Sequence, residues 1–209
     1  NPYEEKRGLV SQALVSHIDI TPSLLDFAGG LDRKKNAPKK MVNADAYWKE
    51  RGENLKDNRG PKLTSYHGKS WIDVLGKPDA THWETVFASH TFHEIQMYYP
   101  MRVVRDSKFK LIWNIAHPLP YPFASDLWSA SSFQAQFQKG LDAPYGRKTV
   151  GQYIHRPQFE LYDVEKDPEE AHNLANSTEF TEVLARYKAK LKAFQKEMDD
   201  PWIMKWDYE

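Results

Sequence analysis

The spacing of apolar residues changes twice along this chain, and its most regular stretch lies near the C-terminus. Phe180, Val183, Leu184, Tyr187, Leu191, Phe194 and Met198 recur at intervals of three, four and seven. One apolar stripe at helical period over about five turns predicts an amphipathic helix across 177–198. Asn176 offers a cap with Glu179 three residues on, and Asp200-Pro201 offers a stop. Lys188, Lys190, Lys192 and Lys196 fall in its later half, where cations are favoured, and predict a solvated face. Upstream the pattern shortens. The stretches 84–89, 101–105, 109–115 and 158–164 are rich in Val, Ile, Phe, Tyr and Trp and predict strands. Asp106-Ser107-Lys108 supplies a hairpin turn, and Lys166-Asp167-Pro168 closes the last strand. Three prolines within 117–122 remove three ladder donors, so no strand continues there. The segment 124–140 leaves room for a helix over 132–139.

The N-terminal part has weaker periodicity. Residues 10–20 suit a strand or a short helix. Thr21-Pro22 then reads as a helix start, with Thr as cap, Pro at the first helical position and Gly29-Gly30 as the stop. A polar stretch over 31–66 predicts a long loop, with a helical turn at 44–50. Ser70, Asp73 and Gly76 frame a helix of one or two turns, and Lys77-Pro78 marks a boundary. The fold class expected is α+β. Residues 1–79 form one part, and 80–209 form a second, a small antiparallel sheet packed on the long C-terminal helix.

Composition narrows the function classes. Lys+Arg and Asp+Glu are equal at 29 each, so no general attraction to nucleic acid or an anionic membrane is expected. A polyanionic ligand would need a local basic cluster. The 28 aromatic residues (7 Trp, 11 Tyr, 10 Phe) favour a folded protein with aromatic-lined surfaces over a disordered one. There is no Cys, which removes disulfides, thiol nucleophiles and thiolate-bound metals. The opening Asn1-Pro2-Tyr3-Glu4-Glu5-Lys6-Arg7 has neither a start methionine nor the pattern of a signal peptide, so a preceding portion is expected.

No self-contained catalytic motif is found. His93-Glu94 begins like the zinc-protease H-E-x-x-H motif, but Met97 stands at the second histidine position. His90 and His93 could share a metal, yet no third ligand has suitable spacing. Gly-x-Ser-x-Gly, P-loop and dinucleotide fingerprints are missing. Asp19 beside His17 predicts a hydrogen-bonded pair ahead of the first helix, and Glu160 and Asp163 are read as structural.

Several stretches, taken together and in order, resemble the sulfatases. Val15-Ser16-His17-Ile18-Asp19-Ile20-Thr21-Pro22-Ser23-Leu24-Leu25-Asp26 is similar to a segment late in the sulfatase catalytic domain. His67-Gly68-Lys69-Ser70-Trp71 follows. Phe159-Glu160-Leu161-Tyr162-Asp163, Asp167-Pro168-Glu169-Glu170 and Asn173-Leu174-Ala175 resemble the family's C-terminal signature. Within the family, Phe87-Ala88-Ser89-His90-Thr91-Phe92-His93-Glu94, Met97-Tyr98-Tyr99-Pro100-Met101-Arg102 and Asp200-Pro201-Trp202 look most like the heparan N-sulfatases, or sulfamidases.

The resemblance implies the tail of an alkaline-phosphatase-like α/β domain followed by the sheet-and-helix subdomain. It implies a hydrolase acting on a sulfated, heparan-type saccharide, with formylglycine made from a C/S-x-P-x-R motif and a bound Ca²⁺. None of that machinery maps onto this chain. Cys and Ser-x-Pro-x-Arg are lacking, and Pro144-Tyr145-Gly146-Arg147 has the wrong spacing. The family's metal-binding carboxylates precede the matched region, so no metal ligand, cofactor or nucleophile is expected here. The chain alone is expected to be inactive, with a preceding catalytic portion as its partner and a homo-oligomer as an option. Substrate contacts are expected from the 90–99 loop: His93 and Glu94 suit sugar hydroxyls and a glucosamine nitrogen, with His90, Tyr99 and Arg102 beside them. Arg102 would pair with Glu94 or an anionic group; a buried His-Glu-Arg set fixing strand ends is the equal alternative. Tyr98, Tyr99 and Trp113 could stack on sugar rings, Trp113 more as core. Family habit implies periplasm or secretion in bacteria and lysosome in animals. Two other functions stay open: a non-catalytic carbohydrate-binding or interaction module, and a sulfatase or phosphoesterase of different specificity.

Overall fold

The computed structural model describes residues 8–38, 65–93 and 97–208. They divide into two compact units, Asn1–Glu84 and Thr85–Glu209. The helical turn expected at 44–50 lies outside the described residues.

In the first unit a 3-10 turn, His17–Asp19, runs directly into α1, Ile20–Phe27. The helix therefore begins earlier than Thr21-Pro22 suggested. Asp19 occupies the cap position, and Pro22 sits in the first turn, where a missing N–H breaks no helical bond. Gly29, at φ 72°, ends the helix in the left-handed region. The expected loop opens as a short antiparallel pair, β1 (Leu31–Asp32) and β2 (Ala37–Pro38). The helix expected over 70–76 is a single 3-10 turn, Ile72–Val74. Ser70 Oγ accepts the Ile72 N–H (3.3 Å) but also donates to Asp26 (2.6 Å), tying that turn to α1. Gly68 is required by sterics: a Cβ there would sit 2.1 Å from the Ile18 carbonyl oxygen.

The second unit is built on four antiparallel strands. β3 is Val86–His93, β4 Met97–Arg105 and β5 Phe109–Asn114. Two short helices follow, α2 (Ser125–Ser129) and α3 (Ser131–Phe137), where one helix was expected. A ribbon of β6 (Pro144–Tyr145) and β7 (Lys148–Thr149) leads into α4, Val150–Ile154. Then come β8, Phe159–Asp163, and α5, Thr181–Glu197. The sheet order is β3-β4-β5-β8. Between β4 and β5 the Asp106 carboxylate accepts the N–H groups of Lys108 (3.0 Å) and Phe109 (2.9 Å), so the expected turn forms.

β3 and β4 run further than their apolar runs suggested. Their register shifts between His90 and Phe92, which leaves Tyr99 and Pro100 together opposite Thr91. The proline's missing donor thus falls in a β-bulge and not in the ladder.

One sheet face, with Val104, Leu111, Trp113 and Leu161, buries the helical stripe of α5 through Tyr187 and Leu191. Phe194 stacks on Phe87 at 3.8 Å between centroids. α5 starts after a 3-10 turn, Thr178–Phe180, so Asn176 does not cap it. Nor are three of its lysines merely solvated. Lys188 Nζ lies 3.6 Å over the Phe159 ring, Lys190 reaches Asp106 (3.6 Å) and Lys192 reaches Asp207 (3.4 Å). Beyond α5, Asp200 starts a last 3-10 segment, Pro201–Asp207, which lays Trp206 on Trp113 at 4.0 Å. A smaller cluster of Ala143, Val150 and Ile154 with Phe123, Phe137, Tyr145 and Tyr153 organises the α2–α4 region.

Removing the stripe's centre should be costly. Leu191→Ala should lower the unfolding free energy by about 2–5 kcal/mol in urea titrations followed by Trp fluorescence. Leu24→Ala, at a side chain 61% exposed, should change it by less than about 1 kcal/mol. Equal losses would refute the assignment of the core.

Candidate functional site

The bulge fixes the chemistry at the end of the sheet. His90, half-buried on β3, places Nδ1 3.0 Å from the Tyr99 carbonyl oxygen. Arg102, buried on β4, is held by Asp200 through two bonds, Nε to Oδ2 (2.6 Å) and Nη2 to Oδ1 (2.9 Å). Its Nη1 donates to the carbonyls of His90 (3.1 Å) and Met101 (2.9 Å). The expected pairing of Arg102 with Glu94 or a bound anion is thereby corrected in part: its fork is engaged by Asp200 and two carbonyls. Glu94 itself lies outside the described residues.

Tyr99 is also corrected. It is fully buried with its ring edge-on to Tyr121 at 5.0 Å, where the expectation had it beside the substrate. Burial pushes its hydroxyl up to about 12, Arg156 acting in the opposite sense. Trp113 is core, whereas Tyr98 is 44% exposed and tilts against Trp202 at 6.0 Å. His93 is exposed at the end of β3, paired across the ladder with Met97. Of the candidates, Tyr99 and Arg102 are thus buried, His90 is half-buried, and His93 is open to solvent.

Two residues that sequence reasoning did not weigh complete the hold on Arg102. Gln195 is fully buried on α5, donates to Asp200 Oδ2 (3.0 Å) and accepts from Trp206 Nε1 (2.7 Å). Asp200 also caps the last 3-10 segment by accepting the Trp202 N–H (3.1 Å). Burial would raise the Asp200 carboxyl, but the bonds from Arg102, Gln195 and Trp202 outweigh it and hold the group below its ordinary value. A signal was present: Gln195 stands four residues after Leu191, on the buried stripe, where a polar residue needs a partner.

A second polar set lies on the opposite sheet face. Glu160 accepts from Tyr162 Oη (2.5 Å) and Asn114 Nδ2 (2.8 Å), with Lys148 Nζ at 3.5 Å. Burial acts to raise its carboxyl, yet the Tyr162 and Asn114 bonds and the charges of Lys148 and Arg156 bring it below the usual range. Burial and the neighbouring carboxylate raise the Tyr162 hydroxyl. In the first unit, Asp19 is fully buried and accepts from Ser16 N (2.8 Å), Lys69 N (2.9 Å) and Trp83 Nε1 (2.8 Å). His82 Nε2 lies 3.2 Å away, so His82 takes the place expected of His17. Burial lowers the His82 pKa against the pull of Asp19, which favours the neutral imidazole donating to that carboxylate. In both sets the carboxylate is held by several hydrogen bonds from within the fold, although Asn114 Oδ1 in the Glu160 set is buried without a partner.

No family model matches the chain. Human N-sulphoglucosamine sulphohydrolase is 31% identical to it over 206 residues, covering 97% of this chain and 36% of that protein, at its C-terminal end. The chain belongs to the sulfatase family. A solved structure of a protein in complex with its substrate D-glucosamine-2-N,6-O-disulfate has the same fold, with a TM-score of 0.51 and 17% identity. That overlay covers 96% of this sulfatase chain and 28% of the other. The sulfatase chain therefore spans little more than a third of the length of its human relative, 36%.

Among the described residues of this sulfatase segment no group is arranged to hold the family's calcium, and the sequence carries no C/S-x-P-x-R motif from which formylglycine could form. It has no Cys, and among the described residues no three His, Asp or Glu side chains are grouped to hold a metal ion. Among the same residues no helix is long and apolar enough to cross a membrane.

The Glu160 set predicts an acid-dependent stability. A carboxyl held low in the folded state stabilises the fold fully above its unfolded pKa of about 4.3, and this is lost as pH falls through the folded value. The unfolding midpoint should therefore drop between about pH 5 and pH 2. Glu160→Gln should flatten part of that decline in thermal melts followed by circular dichroism. Parallel wild-type and variant profiles would remove Glu160 as a contributor.

Proposed function

We propose that this chain is the C-terminal portion of an enzyme that removes the N-sulfate from glucosamine in heparan-type saccharides. The observation that carries the proposal is the 31% identity to N-sulphoglucosamine sulphohydrolase, which runs through 97% of the chain. A sulfated glucosamine is also the substrate named for the solved protein of like fold. The nucleophile and metal belong to the preceding portion in this proposal, and the residues here shape the rim of the pocket. His93, with Glu94, meets sugar hydroxyls, and the exposed rings of Phe92 and Tyr98 offer stacking faces. α1 supports a role within a larger protein: Leu24 and Ile20 are 61% and 45% exposed, an apolar surface suited to burial against the catalytic portion. An extracytoplasmic compartment, periplasmic or secreted in bacteria and lysosomal in animals, accompanies the proposal as family habit.

The test is sulfate release from N-sulfoglucosamine and from a 6-O-sulfated, N-acetylated counterpart. The full-length protein should hydrolyse the first, and the isolated 209-residue chain should release nothing from either. In the full-length protein His93→Ala should raise KM by about tenfold, the order expected for one lost polar contact to substrate. Turnover by the isolated chain, or release of the O-sulfate alone by the full-length protein, would refute the proposal.

A further inference from the structure

We infer that Asp200 is a positioning residue for the end of the β3–β4 pair, acting through Arg102; this rests on the proposed substrate role of that end. Arg102 donates from one nitrogen to carbonyls on both strands, His90 on β3 and Met101 on β4. Those two residues are the last paired positions before the register shift. A bulge interrupts ladder bonding, so the pair beyond it, with His93 and Tyr98, has a hinge at its root. The guanidinium ties the two strands together on the near side of that hinge.

Its orientation is set from the other side. The two bonds to Asp200 fix the plane of the guanidinium as well as its place, which a single contact would not. Asp200 in turn is held by Gln195, Gln195 by Trp206, and Trp206 lies on the core residue Trp113. A continuous line of bonds thus runs from the hydrophobic core to the root of the strand pair. Trp202, which follows Asp200, adds a second hold through its ring contact with Tyr98 at 6.0 Å. The C-terminal segment therefore grips both the root and one strand of the pair. Reacting groups misplaced by an ångström lose much of their effect, so loosening this grip acts on substrate binding without touching substrate.

The test uses the full-length sulfatase with Asp200→Asn, Asp200→Glu and Gln195→Leu. Tyr187→Phe is the control: it removes a bond to Asp106 at the far end of the sheet. Asp200→Asn should raise KM for the N-sulfated saccharide by about tenfold with kcat within about twofold. Asp200→Glu should recover part of that loss, and Gln195→Leu, a milder loosening of the same carboxylate, should show a smaller rise. Tyr187→Phe should lower Tm and leave KM unchanged. Amide hydrogen exchange at 89–93 and 97–101 should quicken by about tenfold in Asp200→Asn, while β5 and β8 keep their protection. An even rise across the sheet, or a loss of Tm with no change in KM or local exchange, would overturn the inference. Should Asp200→Asn fail to fold, Gln195→Leu decides by the same two readouts. If the wild-type protein releases no sulfate, the functional proposal fails, and the exchange pattern, which needs no substrate, still judges the clamp.

Discussion

Burial of one helical stripe against one face of a four-stranded sheet is the constraint on which the second unit depends. An isolated helix of this length is marginal in water, and a small sheet with an open apolar face is no better. Each becomes stable by covering the other. Tyr187 and Leu191 meet Val104, Leu111, Trp113 and Leu161, and the Phe87–Phe194 stack extends the contact to the edge strand. The chain beyond α5 then folds back so that Trp206 lies on Trp113. Without that return, Asp200 would have no fixed position from which to hold Arg102.

Charge in this protein is used to join elements that apolar packing leaves loosely placed. Asp19, Glu160 and Asp200 are each shielded from water, and each accepts several hydrogen bonds, at least one of them from a residue distant in sequence. A carboxylate so engaged has little capacity left for a ligand, and removing one partner would strand a buried charge. The lowered Glu160 and Asp200 pKa values follow from those bonds outweighing burial. Such shifts are often taken as marks of catalysis. Here their neighbours are backbone amides, tyrosines and a paired arginine, the surroundings of a structural pin.

This division suits a sulfatase segment that corresponds to the C-terminal 36% of its human relative. The unit offers a rigid sheet, a bulged strand pair with His93 and Tyr98 facing solvent, and a C-terminal clamp behind them. Loops that meet substrates gain precision from the rigidity of the elements that carry them. On the proposed function, the rim of the pocket and its chemistry belong to different parts of one polypeptide.

The sequence by itself determined the local elements and the family. The helical stripe, the Asp106 turn, the strand composition and the ordered sulfatase-like stretches are all properties of neighbouring residues, and such properties are legible along a chain. Tertiary structure alone decided the partners. Arg102 lies 98 positions before Asp200, Asp19 lies 63 before His82, and Asn114 lies 46 before Glu160. No local pattern encodes those pairings, because each requires strands and helices first to be brought together by apolar burial. For the same reason Tyr98 and Tyr99, adjacent and identical in kind, differ in fate: one faces water and the other is sealed beneath Tyr121. Strand alternation sends them to opposite faces, and which face is covered is decided by the elements packed on it and not by the strand itself.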